Sequence, residues 1–446
     1  MTIALHIKDH YRSAFAELET TVAGQEPAWL HEIRKEALAR FEALGFPSHR
    51  EEAWRFTNTA PLREKTFHLA EADGRDTLGP AVRPPVTGLD AYQIVFVNGH
   101  FTPELSILNG LPQGTRVESI AAVLRSDPGS LEPYLARQGS YEDFVFAALN
   151  TAFMRDGAFV RIPAGAVLEK PIHLLYYSTR LETPVVSHPR NVIVAGSGSR
   201  AVILESYAGP DNAVYFTNGV TEVSAGEESD IAHCKLQREG HEAFHVSFSR
   251  LDLSRSSRYA HHSITLGGGL VRNELNALMN GEGIHCTLNG LYLVDGKRHV
   301  DNHTLMVHAK PHCESHEVYK GILDEQGRAV FRGRILVAKD AQKTDSKQTN
   351  QALLLSGEAE ITAMPQLEIY ADDVKCTHGA TTGKLDDEAL FYLRARGINL
   401  EDARELLTYA FASGIVEQIP VEAVRAELDH VLHKRLSFSH SNEVSV

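Results

Sequence analysis

Apolar residues in the first part of the chain recur every three to four positions. Two series show this spacing: Tyr11, Phe15 and Leu18, then Leu30, Ile33, Ala37 and Phe41. A period near 3.6 places such residues on one face of a helix, so the pattern predicts amphipathic helices over residues 1 to about 85. The second series should end at Gly45 and Pro47, and the polar stretch of about 70–88 predicts a linker.

From residue 92 to about 383 the pattern changes to short apolar runs separated by turn residues. The clearest runs cover residues 94–97, 192–194, 202–204, 244–248, 335–337 and 367–369. Runs of this length predict β-strands. No long helical pattern interrupts residues 180–383, which disfavours a doubly wound α/β fold. A sandwich, a barrel and a β-helix all remain open, because no regular repeat period is evident.

Helical spacing returns near the end of the chain. Two apolar stripes occur there: Leu400, Ala403, Leu406, Leu407, Ala410 and Phe411, then Val421, Val424, Leu428, Val431 and Leu432. We expect Asn399 to cap the first of these helices, Gly414 to end it, and Pro420 to lie in the first turn of the second. The chain therefore divides into an N-terminal helical region with its linker (1–88), a β-rich core (89–384) and a C-terminal helical region (385–446).

Composition narrows the class of protein. The chain has 446 residues, of which 43% are hydrophobic and 23% charged, as in ordinary globular proteins. A formal net charge of −14 argues against a nucleic-acid-binding surface. We also expect no membrane span. The four cysteines, Cys234, Cys286, Cys313 and Cys376, form no C-x-x-C pair and no evident disulfide framework. These features, with no apolar signal segment at the N-terminus, predict a cytoplasmic protein with reduced thiols.

A thiol and an imidazole lie two residues apart near the end of the β-rich region. Side chains alternate between the faces of a strand, so Val374, Cys376 and His378 should project together. A thiol and an imidazole on one face can hold a soft or borderline transition metal. A buried thiol beside a hydrogen-bonded histidine is the commoner arrangement, so the residues alone leave both interpretations open.

Other motifs carry less weight. A second cluster comprises His299, His303, His308, His312, Cys313 and His316. On a helix several of these would form a metal-binding face, but Pro311 and the apolar residues around it predict strands. On strands these histidines could still cluster across neighbouring turns, so a metal site stays open but is not indicated. Gly196-Ser-Gly-Ser-Arg-Ala201 and the glycine segment 290–298 resemble nucleotide-binding loops. Neither has the helix or the spacing that such loops require, so we expect turns and no ATP hydrolysis by this chain.

An ordered series of motifs carries a family resemblance. It includes Gly45-x-Pro47, Glu52-x-Trp54-Arg-Phe-Thr57, Thr304, His308, Tyr319-Lys320, Gly333-Arg-Ile-Leu-Val337, Gln348-x-Asn350 and Ala371-Asp-Asp-Val374. The series resembles the SufB/SufD family, the scaffold proteins of the SUF iron–sulfur cluster assembly system. Within that family, Lys375-Cys-Thr-His-Gly-Ala-Thr381 is similar to the SufD version.

The resemblance implies a mainly β fold: a right-handed parallel β-helix core flanked by N-terminal and C-terminal α-helical regions. It further implies a non-catalytic scaffold subunit that pairs with a SufB-like chain. His378, with Cys376 as a weaker candidate, would bind iron or a transient iron–sulfur cluster at the shared interface. A SufC-type ABC ATPase would dock on the C-terminal helices, and we expect the contact at Leu390, Phe391, Tyr392, Leu400, Leu406 and Leu407.

Two further points concern cofactors and partners. Reduced flavin is associated with the family complex, but no flavin motif occurs in this chain, and homodimerisation of the isolated chain stays open.

Two functions of other classes are the alternatives. One is a β-helix polysaccharide lyase or hydrolase with paired acids, against which stand the missing secretion signal and the lack of an aromatic platform. The other is a stand-alone histidine-rich metal-binding protein.

Overall fold

The computed structural model of the protein describes residues 2–22, 24, 26–71, 86–137 and 144–436. Its helices in chain order are α1 (Thr2–Val22), α2 (Ala28–Leu44), α3 (Ala60–Arg63), α4 (Ile120–Ser126), α5 (Val145–Phe153), α6 (Asp387–Ala395), α7 (Leu400–Val416) and α8 (Glu422–Leu436). The two predicted N-terminal series are buried faces of α1 and α2, and α2 ends at Gly45 with a positive φ of 67°.

Two long, mainly parallel sheets form the middle of the chain. The first ten strands are β1 (His68–Leu69), β2 (Tyr92–Val97), β3 (His100–Phe101), β4 (Arg116–Ser119), β5 (Ala158–Ile162), β6 (Ile172–Tyr177), β7 (Val185–Ser187), β8 (Arg190–Ala195), β9 (Arg200–Ala208) and β10 (Tyr215–Ala225). The next six are β11 (Asp230–Arg238), β12 (Phe244–Leu253), β13 (Arg258–Thr265), β14 (Leu270–Met279), β15 (His285–Val294) and β16 (His299–His308). The last six are β17 (Glu314–Leu323), β18 (Arg328–Val337), β19 (Asp345–Leu354), β20 (Glu360–Ala363), β21 (Gln366–Ile369) and β22 (Lys375–Gly383).

The chain alternates between the two sheets, which makes the middle of the protein a parallel β-helix. The twelve-stranded sheet runs in the order β20-β18-β16-β14-β12-β10-β8-β5-β4, with β1, β7 and β21 beside this path. The ten-stranded sheet runs β22-β19-β17-β15-β13-β11-β9-β6-β2-β3. Each successive coil adds one strand to each sheet, and alternate side chains point into a shared apolar interior. This confirms the fold class expected from the resemblance.

Unequal coils explain why no repeat period is evident in the sequence. From Phe244 to its partner Leu270 a coil takes 26 residues, and from Arg328 to its partner Glu360 it takes 32. Adjacent strands nevertheless stay in register over eight to ten residues, because the differences in length are absorbed by the turns. A fixed repeat in sequence is therefore not needed to stack the coils.

The N-terminal region covers the outer face of the twelve-stranded sheet. The ring of Trp54, in a short 3₁₀ helix (Glu52–Trp54), lies 3.8 Å from the guanidinium carbon of Arg272. Arg272 also donates to the Ala53 carbonyl over 2.9 Å, and Arg332 pairs with Glu52 over 2.7 Å. The segment that carries the N-terminal motif thus binds this region to the β-helix.

The C-terminal helices cover the outer face of the other sheet. Their buried side chains pack with those of the ten-stranded sheet in one cluster, which includes Leu236, Ile264, Leu291, Ile322, Ile415, Val424, Leu428 and Leu432. None of the helices in the described part of the chain combines the length and apolar character that a membrane crossing requires.

Some predicted boundaries are wrong. Gly414 lies inside α7, which continues to Val416 because Ile415 and Val416 are themselves buried against the sheet. Pro420 precedes α8 rather than lying in its first turn. The N-terminal helices end at Arg63, not near residue 85, and β1 follows them; most of the predicted linker, residues 72–85, lies outside the described residues. Helices α4 and α5 lie before residue 180, within the region 92–383 where the sequence pattern indicated short strands.

Candidate functional site

Strand β22 lies at the open end of the β-helix. It pairs in parallel with β19 on one side, with Cys376 opposite Ser346 and His378 opposite Gln348. No strand in the described part of the chain pairs with its other edge. The backbone N–H and C=O groups of that edge, and the side chains that face the interior of the last coil, are therefore accessible to a partner.

Cys376 and His378 share the inward face of β22, as the alternation of strand side chains predicts. Cys376 is half-buried and, like Val374, packs against the apolar interior, whereas His378 is exposed because no further coil covers it. Burial raises the pKa of the Cys376 thiol, and the nearby Asp345 carboxylate raises it further. The thiol must lose its proton to bind a metal, whereas a neutral imidazole binds directly, so His378 is the more available donor.

Polar groups fill the interior directly below His378. Gln348 is 1% exposed and donates its Nε2 to the carboxyl group of Glu317 over 2.7 Å, and Thr304 donates its hydroxyl to the same carboxyl group over 2.6 Å. Burial raises the pKa of Glu317 to about 7. The Oε1 atom of Gln348 has no hydrogen-bond partner among the described residues. An unpaired acceptor is thus buried one strand below His378.

A second polar row lies below Cys376. The His308 Nε2 is 2.9 Å from the Ser315 hydroxyl, which is 2.7 Å from the hydroxyl of Ser346, the strand neighbour of Cys376. Burial lowers the pKa of His308 to about 4, so this ring is neutral near pH 7. Sequence reasoning assigned these polar groups no place near the site. The one available signal was that Thr304, His308 and Gln348 belong to the motif series.

The histidine cluster of residues 299–316 is dispersed by the fold. His299 and His303 face the N-terminal region, where His299 contacts Thr57 over 2.9 Å and His303 contacts Asp301 over 2.9 Å. His308 points inward, Cys313 bonds through its thiol to the Gly281 carbonyl, and His312 and His316 are exposed. Among the described residues, no group of three or more His, Cys, Asp or Glu side chains is placed to hold a metal ion.

The first glycine motif is a turn, as expected, whereas the second begins in β15 and turns only after Val294. Gly196 and Gly198 lie between β8 and β9, and Gly296 lies between β15 and β16, with strands rather than helices following them. The interior histidines His233 and His261 have ring centroids 5.0 Å apart, and His233 bonds to the buried Glu205 over 3.1 Å. The side chains of His233, His261 and Glu205 are buried in the interior of the β-helix and do not reach its open end.

The predicted docking residues lie mostly on the surface of the C-terminal helices. Phe391 is 75% exposed and Tyr392 57%, while Leu400 and Leu406 are exposed to 43% and 47%. Leu390 and Leu407 are half-buried. None of the described residues of α6 is buried, whereas α7 and α8 bury one face against the sheet. The side chain of Asp386 accepts a bond from the Glu388 N–H and that of Asn399 from the Asp402 N–H, so both residues cap helices, as predicted for Asn399.

Comparison with known proteins identifies two matching family profiles. The SufBD core domain of SUF system FeS cluster assembly matches residues 177–411, and the SufBD protein N-terminal region matches residues 5–174. The chain is similar to a SufBD family iron–sulfur cluster assembly protein of Synechocystis sp., with 35% identity over 420 residues that cover 92% of each chain. It is also similar to the iron–sulfur cluster assembly protein SufD of Escherichia coli, with 30% identity over 88% of this chain and 90% of that protein. The chain is 25% identical to the iron–sulfur cluster assembly protein SufD of Bacillus subtilis, over 97% of this chain and 98% of that protein.

Proposed function

The chain belongs to the SufBD family of SUF iron–sulfur cluster assembly proteins, and on this premise we propose that it is a non-catalytic, SufD-like scaffold subunit of the assembly complex. The observation that carries the proposal is an exposed imidazole beside a half-buried thiol on β22, the strand whose outer edge pairs with no other described strand, at the open end of the β-helix. Iron and the nascent cluster are the cargo of this site, not a resident cofactor. Thiolate sulfur and imidazole nitrogen are both established ligands of iron–sulfur centres.

A second chain is needed to complete the site. His378 and Cys376 supply two donors, and no third His, Cys, Asp or Glu in the part of the chain that the structure describes joins them. A SufB-like subunit that meets the free edge of β22 would bring its own donors to the same face. Its strand could pair with the unpaired N–H and C=O groups of that edge, as in other cases of strand addition. A second copy of this chain could meet the same edge when the protein is isolated.

The C-terminal helices fit an ATPase-binding role. An exposed apolar patch of Phe391, Tyr392, Leu400 and Leu406 is unusual on a solvated surface and typical of a protein contact. A SufC-type ATPase bound there would act on α6 first, because this helix packs mainly on α7 rather than on the β-helix. ATP-driven movement of two such ATPases would shift the paired β-helices between conformations, with ATP hydrolysis confined to the partner.

A substitution at His378 tests the cargo site. We expect His378→Ala, co-expressed with a SufB-like chain and a SufC-type ATPase, to assemble normally but to lose roughly tenfold or more of its bound iron and acid-labile sulfide, because a ligand is missing. His316→Ala is the matched control, since His316 is an exposed histidine on the outer face of the same sheet. Unchanged iron in the His378 variant, or an equal loss in the control, would refute the proposal.

Point substitutions test the docking surface better than truncation. Removal of everything after residue 385 would uncover the apolar outer face of the ten-stranded sheet, which α7 and α8 cover. The double variant Phe391→Ser/Tyr392→Ser leaves that packing intact. We expect it to lose the ATPase on co-purification and to retain the SufB-like chain, whereas Leu181→Ser, at an apolar residue exposed elsewhere, should retain both. Retention of the ATPase by the double variant would contradict the assignment.

A further inference from the structure

A groove of about 380 Å³ lies on the outer face of the twelve-stranded sheet, beside the docked segment that carries Trp54. The strand register places two ladders of side chains along it: Phe248, Glu274, His303 and Arg332, then Arg250, Asn276, Leu305 and Arg334. Cys376 and His378 lie on the inward face of the ten-stranded sheet, so this groove is separate from them. Its volume is in the range of small-molecule sites, roughly 300–1,000 Å³.

The groove presents positive charge that the protein leaves partly unpaired. Among the described residues that line the groove, Glu274 is the one carboxylate, and it pairs with the fully buried Arg272. Arg332 and Arg334 have carboxylate partners at the rim, but the Nε of Arg334 is buried without an acceptor in the described residues.

Arg250 differs from the other arginines. It is half-buried, and its buried Nε has no hydrogen-bond acceptor in any residue that the structure describes. The carboxylate of Asp252, two residues further along β12, acts on it electrostatically. Guanidinium groups with free donors bind phosphate well, because their planar N–H groups match its oxygens. A buried, unpaired guanidinium nitrogen at the wall of a groove therefore points to an anionic ligand.

An aromatic wall stands next to this charge. The rings of Phe144 and Phe248 have centroids 5.3 Å apart, and Trp54 stacks on Phe144 at 6.3 Å with an interplanar angle of 14°. A bare anion would leave this wall unused. Arg250 and Arg334 are separated by three strand spacings, roughly 14 Å, which leaves room for a ring and a phosphate between them.

We propose that this groove binds a nucleoside monophosphate, with the phosphate on the free donors of Arg250 and the base against the wall formed by Phe144 and Phe248. The Asn276 amide, on the floor between them, is available to the ribose or to the edge of the base. Association therefore needs both parts of the ligand, the charged group and the planar ring.

Trp54 provides a direct measurement, since the chain has two tryptophans and Trp29→Phe leaves Trp54 as the single reporter. Titration of the full-length Trp29→Phe chain with adenosine monophosphate should change its fluorescence saturably, and calorimetry should give the same affinity. Adenosine and inorganic phosphate should each bind roughly tenfold or more weakly, because each lacks half of the contacts. No saturable binding of the monophosphate, or equal binding of inorganic phosphate, would overturn the proposal.

Substitution of the anchoring arginine completes the test. Arg250→Gln should weaken binding of the monophosphate roughly tenfold or more while the circular dichroism spectrum stays unchanged, because the Nε of Arg250 forms no hydrogen bond within the described structure. Arg328→Gln is the matched control: Arg328 lies on β18 beside the groove, with a side chain 66% exposed and paired with Glu360. Equal weakening by both variants would show a general charge effect and would refute the site.

Discussion

The buried carboxyl group of Glu317 should make the stability of the protein fall as the pH rises towards neutrality. Burial raises its pKa from 4.5 to about 7, and the hydrogen bonds from Thr304 and Gln348 offset only part of that effect. The folded chain therefore holds a proton on Glu317 between pH 4.5 and about 7 that the unfolded chain has released. The stabilisation from this proton is complete below pH 4.5 and is lost as the pH rises through about 7.

The size of the effect follows from the two pKa values. Each pH unit inside the window lowers the free energy of unfolding by about 1.4 kcal/mol, and the loss between about pH 5 and about pH 8 is about 2.5 kcal/mol. Glu317→Gln removes the titration and keeps the shape of the side chain. Its amide can still bond to Thr304, and Gln348 can turn its unpaired Oε1 towards the new N–H donor.

Urea unfolding followed by circular dichroism measures the effect. The free energy of unfolding of Glu317→Gln relative to the parent should rise by about 2.5 kcal/mol from about pH 5 to about pH 8, because the other titrating groups cancel in the difference. Glu314→Gln is the control, since that side chain on the same strand is 49% exposed. A difference for Glu317→Gln that does not vary with pH would refute the inferred rise in pKa.

Two further substitutions test how the β-helix is packed. Trp54→Ala should lower the free energy of unfolding by about 3–5 kcal/mol, because the buried indole docks the N-terminal region on the sheet. Trp29→Ala, at a half-buried tryptophan, should cost less, and equal losses in urea titrations would contradict this docking role. Gly333→Ala should lower the free energy of unfolding by about 1–3 kcal/mol, since the new Cβ would lie 2.2 Å from the Gln348 Nε2 inside the β-helix. Gly357→Ala, whose Cβ meets open space, is the control, and matching thermal midpoints for the two variants would count against this packing.

Most helices and strands could be predicted because their signals are local. The apolar series of α1 and α2 are buried, and the apolar runs within residues 180–383 lie in strands. The errors arose where packing overrides a local signal. Gly414 resembles a helix end, yet α7 continues past it because Ile415 and Val416 are buried against the sheet. The family motifs added the fold class, which the irregular repeat could not.

The candidate site could likewise be predicted only where its signals are local. Alternation along a strand was enough to predict that Cys376 and His378 share a face, and the structure adds that this face is inward and lies on the last, uncovered coil. The sequence could not indicate that Glu317 and Gln348 lie below the pair, that the histidines of residues 299–316 diverge, or that Arg250 faces a groove beside Trp54.

The sequence by itself predicted the helices near both ends of the chain, strands within residues 180–383, which strand residues share a face, and, through its motifs, the family. The tertiary structure alone decided which side chains meet. Thr57 bonds to Asp301 across 244 positions of sequence. Such contacts depend on how coils of 26 to 33 residues stack, and the length of each turn, rather than any periodic signal in the chain, sets that register.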